Sequence, residues 1–367
     1  MKLLRTLGMI AAVTAVATSL ALAGCSDAES GAAGTNAGAQ DNTVVDFNLG
    51  HLNSTAHVLG FVALEEGFFA EEGLNATTTQ FSSQAELVSG LESGKLDAAF
   101  LGSVPTLANQ ASGHDLSIFG GAMSNGHGYV IDSKYTEGLD QWDVTILKGR
   151  TVAVPRTTIQ ELELYEILSE YGLTYGEGDD TDVKIVYFES QKDAYNALAS
   201  DEIDAVSTYS PYTSIAVADG YSVVYSCSDV DLFENQPCCR QVALTDALQA
   251  DPDKYEAFER ALIKAYNFFQ TNREQTIQDV KKHIDIPEDQ IEYELYTPNY
   301  AESNPDPDKQ ATETLKARAV EFGYIEDFDL EPLYNTDIYR NALAAVIAED
   351  PDNTIYQELQ EHFDQYE

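Results

Sequence analysis

The chain has 367 residues and a mass of 40.2 kDa, more than one ordinary domain. A hydrophobic content of 44% with mean hydropathy −0.26 fits folded cores rather than general disorder. Its 62 acidic against 20 basic side chains give a net charge of −42, which excludes the basic footprint of a nucleic-acid binder and repels anions at long range. Four Cys are too few for a disulfide scaffold.

Lys2 and Arg5 precede an uncharged, mostly apolar run over 7–23, which ends at Leu22-Ala23-Gly24-Cys25. This reads as a secretory signal over 1–24 whose last residues resemble a bacterial lipobox, with Cys25 as the acylated first residue of the mature chain. A transmembrane anchor is the alternative, but the run is slightly short of the usual ~20 residues and small residues stand where cleavage would occur. Residues 25–43 are Gly, Ala, Ser, Asn and Asp with almost no large apolar side chain, the composition of a flexible tether.

From residue 44 onward strand and helix patterns alternate. Strands are expected over 44–49, 76–80 and 98–101, with helices starting near Ser54, at Ser83 and at Gly102-Ser103. Ser83-Gln84-Ala85-Glu86 is a capping box, and Pro105 suits a helix entry. A second series follows: strands over 151–154, 183–188 and 205–207, a second capping box at Thr158-Ile159-Gln160-Glu161, and a helix over 190–199. Leu91-Glu92-Ser93-Gly94-Lys95-Leu96-Asp97-Ala98 resembles Leu198-Ala199-Ser200-Asp201-Glu202-Ile203-Asp204-Ala205, with Asp97 and Asp204 107 positions apart. The repeat predicts two α/β lobes built alike, with largely parallel sheets. After Thr245 only helices are expected, over 255–270, 274–283, 309–322 and 339–348, packed on the first lobe as the chain returns to it.

In open α/β sheets ligands bind beyond the carboxyl ends of the strands, where helix N-termini offer free N–H groups and partial positive charge. Those positions carry Asn53, Ser54, Ser82, Ser83, Gly102, Ser103, Arg156, Thr157, Thr158, Tyr209 and Tyr212. Each hydroxyl also fits an ordinary cap. Arg156 is the sharpest candidate, because its planar fork of donors suits sulfonate, carboxylate or nitrate, although a surface pair with one of the many acids is open to it. His57 and His127 are further candidate ligand contacts. The six His show no H-E-x-x-H spacing, and no G-x-S-x-G elbow or P-loop is present, so neither metal nor cofactor is expected. With Cys25 lipidated, Cys227, Cys238 and Cys239 can form one internal bridge, vicinal or with Cys227, or remain buried thiols.

Several stretches are similar to bacterial ABC-importer substrate-binding lipoproteins of the nitrate, taurine, aliphatic-sulfonate and thiamine-pyrimidine-precursor group. They are Ala63-Leu64-Glu65-Glu66-Gly67-Phe68-Phe69-Ala70-Glu71-Glu72-Gly73-Leu74, Ser93-Gly94-Lys95-Leu96-Asp97-Ala98-Ala99 and Gly149-Arg150-Thr151-Val152-Ala153-Val154-Pro155. Asp204-Ala205 with Ser210-Pro211-Tyr212, and Pro237-Cys238-Cys239, also fit. The resemblance implies a two-lobed periplasmic-binding-protein fold (type II) with a helical C-terminal segment on the first lobe. Lobe one would comprise 44–124 and 240–367, and lobe two 125–239, with crossings near 122–129 and 240–244. It further implies a small polar ligand between the lobes, a membrane permease and ATPase as partners, a monomer anchored by lipid outside the cytoplasm, and no chemistry on the ligand. Anions are favoured. His57 is similar to a His of pyrimidine-precursor binders, which keeps a neutral heterocycle open. Enzymes on the same fold and a sensory lipoprotein are the competing classes.

Overall fold

The computed structural model describes residues 44–233, 235–298 and 300–367. The expected signal, the Cys25 anchor and the tether lie outside the described residues. Among the described residues no helix is long and apolar enough to cross a membrane.

The first series runs β1 (Val45–His51), α1 (Val58–Glu65), α2 (Phe68–Glu71), β2 (Leu74–Gln80), α3 (Gln84–Glu92), β3 (Ala98–Gly102), α4 (Ser103–Ala111) and β4 (Leu116–Asn125). The second runs β5 (His127–Ile131), β6 (Arg150–Pro155), α5 (Ile159–Glu170), β7 (Tyr175–Gly176), β8 (Val183–Phe188), α6 (Gln191–Ala199), β9 (Ala205–Tyr209), α7 (Tyr212–Ala218) and β10 (Ser222–Ser226). The chain returns through β11 (Pro237–Leu244) into α8 (Thr245–Ala250), α9 (Pro252–Thr271), α10 (Arg273–Lys281), α11 (Glu288–Tyr296), β12 (Ala301–Ser303), α12 (Lys309–Glu321), α13 (Thr336–Glu349) and α14 (Thr354–Tyr366).

These strands form two sheets, ordered β12-β4-β11-β3-β1-β2 and β10-β5-β9-β6-β8-β7. Each has a parallel portion at one edge, β2-β1-β3 or β7-β8-β6-β9, continued on its other side by antiparallel strands. The 107-residue repeat has a physical cause. Asp97 closes the turn into β3 by accepting from the Asn48 backbone N–H at 2.7 Å, and Asp204 does the same into β9 with the Thr151 N–H at 2.8 Å. Three residues earlier, Gly94 (φ +68°) and Asp201 (φ +59°) take the left-handed turn that ends each preceding helix.

Only the return crossing sits away from its expected place. The chain leaves the first sheet after Asn125, turns at Gly126 (φ +76°), and enters the second at His127. The return is complete by Pro237, which already pairs with Ser124, so 240–244 lies inside the first sheet between β3 and β4. The two crossings are tied together: the Asn125 N–H donates to the Gln236 carbonyl at 2.8 Å, and the Gln236 N–H donates to Asn125 Oδ1 at 3.2 Å.

The C-terminal third is not purely helical as expected. β12 adds an antiparallel edge to β4, and α11 and α14 had no clear sequence signal. α9 and α13 pack on the first sheet side, where Phe258 stacks on Phe47 at 4.5 Å. α11 instead reaches the second lobe: Glu294 accepts the Ser214 N–H at 3.0 Å and bonds the Ser210 hydroxyl. Ile159 and Leu162 of α5 pack in one cluster with Leu101 and Leu107 of the first lobe, so the two lobes are in contact.

Candidate functional site

A cleft of about 580 Å³ lies between the two lobes. Its walls are the starts of four helices. α3 and α4 come from the first lobe and α5 and α6 from the second, each following a strand in the parallel portion of its sheet. First-turn N–H groups, here those of Gln84, Ala85, Ile159 and Gln160, lack intrahelical acceptors, and the helix dipoles add partial positive charge. This arrangement can hold an oxyanion or another acceptor-rich group.

The capping boxes use part of that capacity. Ser83 accepts the Glu86 N–H at 3.3 Å, and Glu86 in turn accepts the Ser82 N–H at 2.8 Å. Thr158 accepts the Glu161 N–H at 3.4 Å, and Glu161 accepts the Thr157 N–H at 2.7 Å, with Thr157 in the left-handed region (φ +55°). Ser83 and Thr158 are therefore caps as well as cleft residues.

Of the sequence-derived candidates, Ser54, His57, Ser82, Ser83, Gly102, Arg156, Thr157, Thr158 and Tyr209 line the cleft. Asn53, Ser103, His127 and Tyr212 do not. Ser103 is fully buried at the start of α4, and Tyr212 packs into the core of the second lobe edge-on to Tyr209 at 5.5 Å. Asn53 precedes the cleft loop, where the Ser54 hydroxyl donates to the Ser210 carbonyl at 2.8 Å and joins the lobes. Burial pushes the Tyr209 and Tyr212 hydroxyls up, so both stay neutral donors.

Arg156 takes the surface pairing with an acid that its sequence context left open, while still lining the cleft. Its side chain is 55% exposed at the cleft rim, held by Glu177 at 2.9 Å and lying 3.6 Å over the Tyr187 ring. Glu92 and Glu189 line the same cleft, so its charge is mixed. His57 forms part of the buried floor. Its ring stacks on Phe100 at 5.0 Å, Nδ1 faces the Leu52 carbonyl at 3.3 Å, and Nε2 has no hydrogen-bond partner among the described residues. Next to it in the lining stand Cys238 and Cys239, whose sulfurs are 3.4 Å apart. Cys227, Cys238 and Cys239 are buried free thiols, which removes both bridges considered from the sequence.

Sequence reasoning missed Gln84, Gln160, Ser190 and Gln191. The signal was available. The 107-residue offset that relates Asp97 to Asp204 also relates Ser83 to Ser190, Gln84 to Gln191 and Gly102 to Tyr209, and all six line the cleft. Ser190 caps α6 by accepting the Asp193 N–H at 3.1 Å.

Residues 40–284 match the NMT1-like family. A Brachyspira hyodysenteriae protein named as an ABC transporter periplasmic binding protein is 28% identical over 139 residues, which is 38% of this chain and 37% of that protein. The chain thus spans about a third of the length of this curated relative. In solved structures, the periplasmic nitrate-binding protein NrtA from Synechocystis superimposes with TM-score 0.71 at 16% identity, covering 88% of this chain and 99% of NrtA. The alkanesulfonate-binding protein SsuA from Xanthomonas axonopodis, bound to MOPS, gives TM-score 0.65 at 18% identity, covering 79% and 98%. These likenesses establish the periplasmic-binding-protein fold.

Proposed function

Because the chain belongs to the NMT1-like family, we propose that it is the substrate-binding component of an ABC importer, capturing a small polar solute between its lobes and performing no chemistry on it. The observation that carries this reading is the convergence of helix starts from both lobes on one cleft. A ligand touching both walls stabilises the closed form, and a permease with its ATPase is the partner that reads that form. In this reading the chain works as a monomer outside the cytoplasm, held at the membrane by lipid on Cys25.

We take the ligand class to be an organic oxyanion, with a sulfonate ahead of nitrate. A volume of about 580 Å³ falls in the range typical of sites for organic molecules, roughly 300–1,000 Å³, and would leave a bare nitrate loosely surrounded. In this arrangement Ser54, Ser82, Ser83, Gly102, Thr157 and Thr158 surround the head group with hydroxyls and backbone donors, while His57 and Tyr209 meet its organic part. The engagement of Arg156 with Glu177, and the presence of Glu92 and Glu189, favour a second reading, a neutral heterocycle stacked near His57 and Tyr209.

Calorimetric titration with alkanesulfonates, taurine, nitrate and an aminopyrimidine tests both. One-to-one binding of a sulfonate supports the first reading. Binding of the pyrimidine alone replaces it with the second, and turnover of any ligand would contradict the assignment as a binding protein.

A further inference from the structure

We propose that His127, Glu163 and Cys227 form a binding site for one borderline-soft divalent cation of the zinc class, set in the hinge beneath the second lobe and separate from the cleft. A ring nitrogen, a carboxylate oxygen and the sulfur of these three residues all lie within 4.8 Å of one another, and all three residues are buried. None of them lines the cleft.

The fold brings them together from distant parts of the chain. β5 and β10 pair antiparallel with Gly128 opposite Ser226, so His127 and Cys227 meet just beyond the end of that ladder. The His127 N–H points at the Cys227 sulfur at 3.4 Å. Glu163 approaches from α5, with Oε1 3.1 Å from His127 Nδ1. This contact is a hydrogen-bonded ion pair, and two ligands bound at about 2.0–2.1 Å on one tetrahedral ion stand about 3.3 Å apart, so an ion could replace the shared proton with little movement of either side chain.

The surroundings fit a cation better than a closed polar cluster. Among the described residues, His127 Nε2 and Glu163 Oε2 are buried without a hydrogen-bond partner. Unpartnered buried polar atoms are costly, and a cation bound through the free atom of either side chain, or bidentate on the Glu163 carboxylate, would relieve that cost. The Glu163 carboxylate is held by Gln236, whose amide nitrogen donates to Oε1 while its oxygen accepts from Arg318. Arg318 is itself paired with Glu166, so among the described residues the group in ion-pair reach of Glu163 is His127, another of the three ligands, whose place beside the carboxylate a metal would share. The Gln236 contact is the outer-shell support that orients a metal-ligating carboxylate. With Cys227 as thiolate and Glu163 ionised, two negative charges balance a divalent ion, and three protein ligands leave the fourth position for water. A thiolate, imidazole and carboxylate set selects zinc-like ions over magnesium or calcium.

The location gives the ion a role. His127 opens the strand that follows the first crossing, Gln236 belongs to the second, and Glu163 stands on the helix whose first turn lines the cleft. An ion here would clamp both crossings to α5.

The test is titration of the full-length chain with Co²⁺ after chelation under reducing conditions. The expected result is one equivalent bound with a thiolate-to-cobalt charge-transfer band, displaced by Zn²⁺. Cys227→Ser should abolish the band, and Glu163→Gln should weaken affinity on the order of 100-fold or more, since even outer-shell changes cost 10–100-fold. The double variant Cys238→Ser with Cys239→Ser should keep the band. If Cys227→Ser does not fold, Glu163→Gln and the double variant carry the same test. A chain that shows no charge-transfer band overturns the proposal. So does a band that survives Cys227→Ser or Glu163→Gln at full affinity, or one that disappears with the cleft cysteines, which would assign the metal to the cleft.

Discussion

Replacing Arg156 with Ala removes the cation nearest the cleft that the sequence singled out, and the structure sets how much that costs. The guanidinium is 55% exposed and its partner Glu177 is 67% exposed, at 2.9 Å. An exposed pair of this kind shifts an equilibrium constant by at most about fivefold. Its charge is already compensated locally, and solvent and salt reach it, with a screening length of ~8 Å at physiological ionic strength. A rim charge acts mainly on the encounter rate and on salt dependence. Arg156→Ala should therefore weaken sulfonate binding by no more than about fivefold near physiological salt. Most of the loss should lie in the association rate and fade as salt is raised. Stopped-flow binding at several salt concentrations, alongside calorimetry, separates the two rates. A loss above about fiftyfold that is carried by dissociation and insensitive to salt would refute this account. It would mean that Arg156 leaves Glu177 and closes onto a buried ligand.

Thr158→Ala should lower stability by about 1 kcal/mol through loss of the α5 cap, as read by denaturant melts; an unchanged midpoint would contradict the cap. Gly121→Ala should destabilise the first lobe by at least about 2 kcal/mol, because the added carbon would lie 1.9 Å from the Asp306 carbonyl oxygen; an unchanged denaturation midpoint would refute this packing. His51 is held down to about 4 by burial, with His57 adding to the effect, so its neutral form is favoured by the fold. Its contribution is complete above the unfolded value near 6.5 and is lost as pH falls toward 4, up to about 3 kcal/mol. Wild type should accordingly lose more stability over that window than His51→Asn, and identical pH profiles would contradict it.

The parts of the fold set by local chemistry were legible in the sequence. Both capping boxes form where the residues at their first and last positions demand, and the Asp97 and Asp204 turns repeat because each closes the same strand entry. The cleft followed from those helix starts. What the sequence hid depends on contacts across space. Glu177 reaches Arg156 from 21 residues away and Tyr187 from across the sheet, so the exposure of Arg156 could not be read from Pro155-Arg156-Thr157. β12 is three residues long and has β4 alone as a neighbour, a partner that no local pattern announces. His127, Glu163 and Cys227 carry no ligand spacing because the ladder between β5 and β10, rather than a short motif, brings two of them together. The return crossing was displaced to Gln236-Pro237 because hydrogen bonds to Asn125 fix it there.

The central claim is that helix starts from both lobes grip one solute. Hydrogen–deuterium exchange with and without a bound alkanesulfonate tests it most directly. The account predicts slowed exchange at the first turns of both α3 and α5, around Gln84-Ala85 and Ile159-Gln160, in the same titration and with the same midpoint. Protection confined to one lobe, or none at these four amides while binding is saturated, would contradict it.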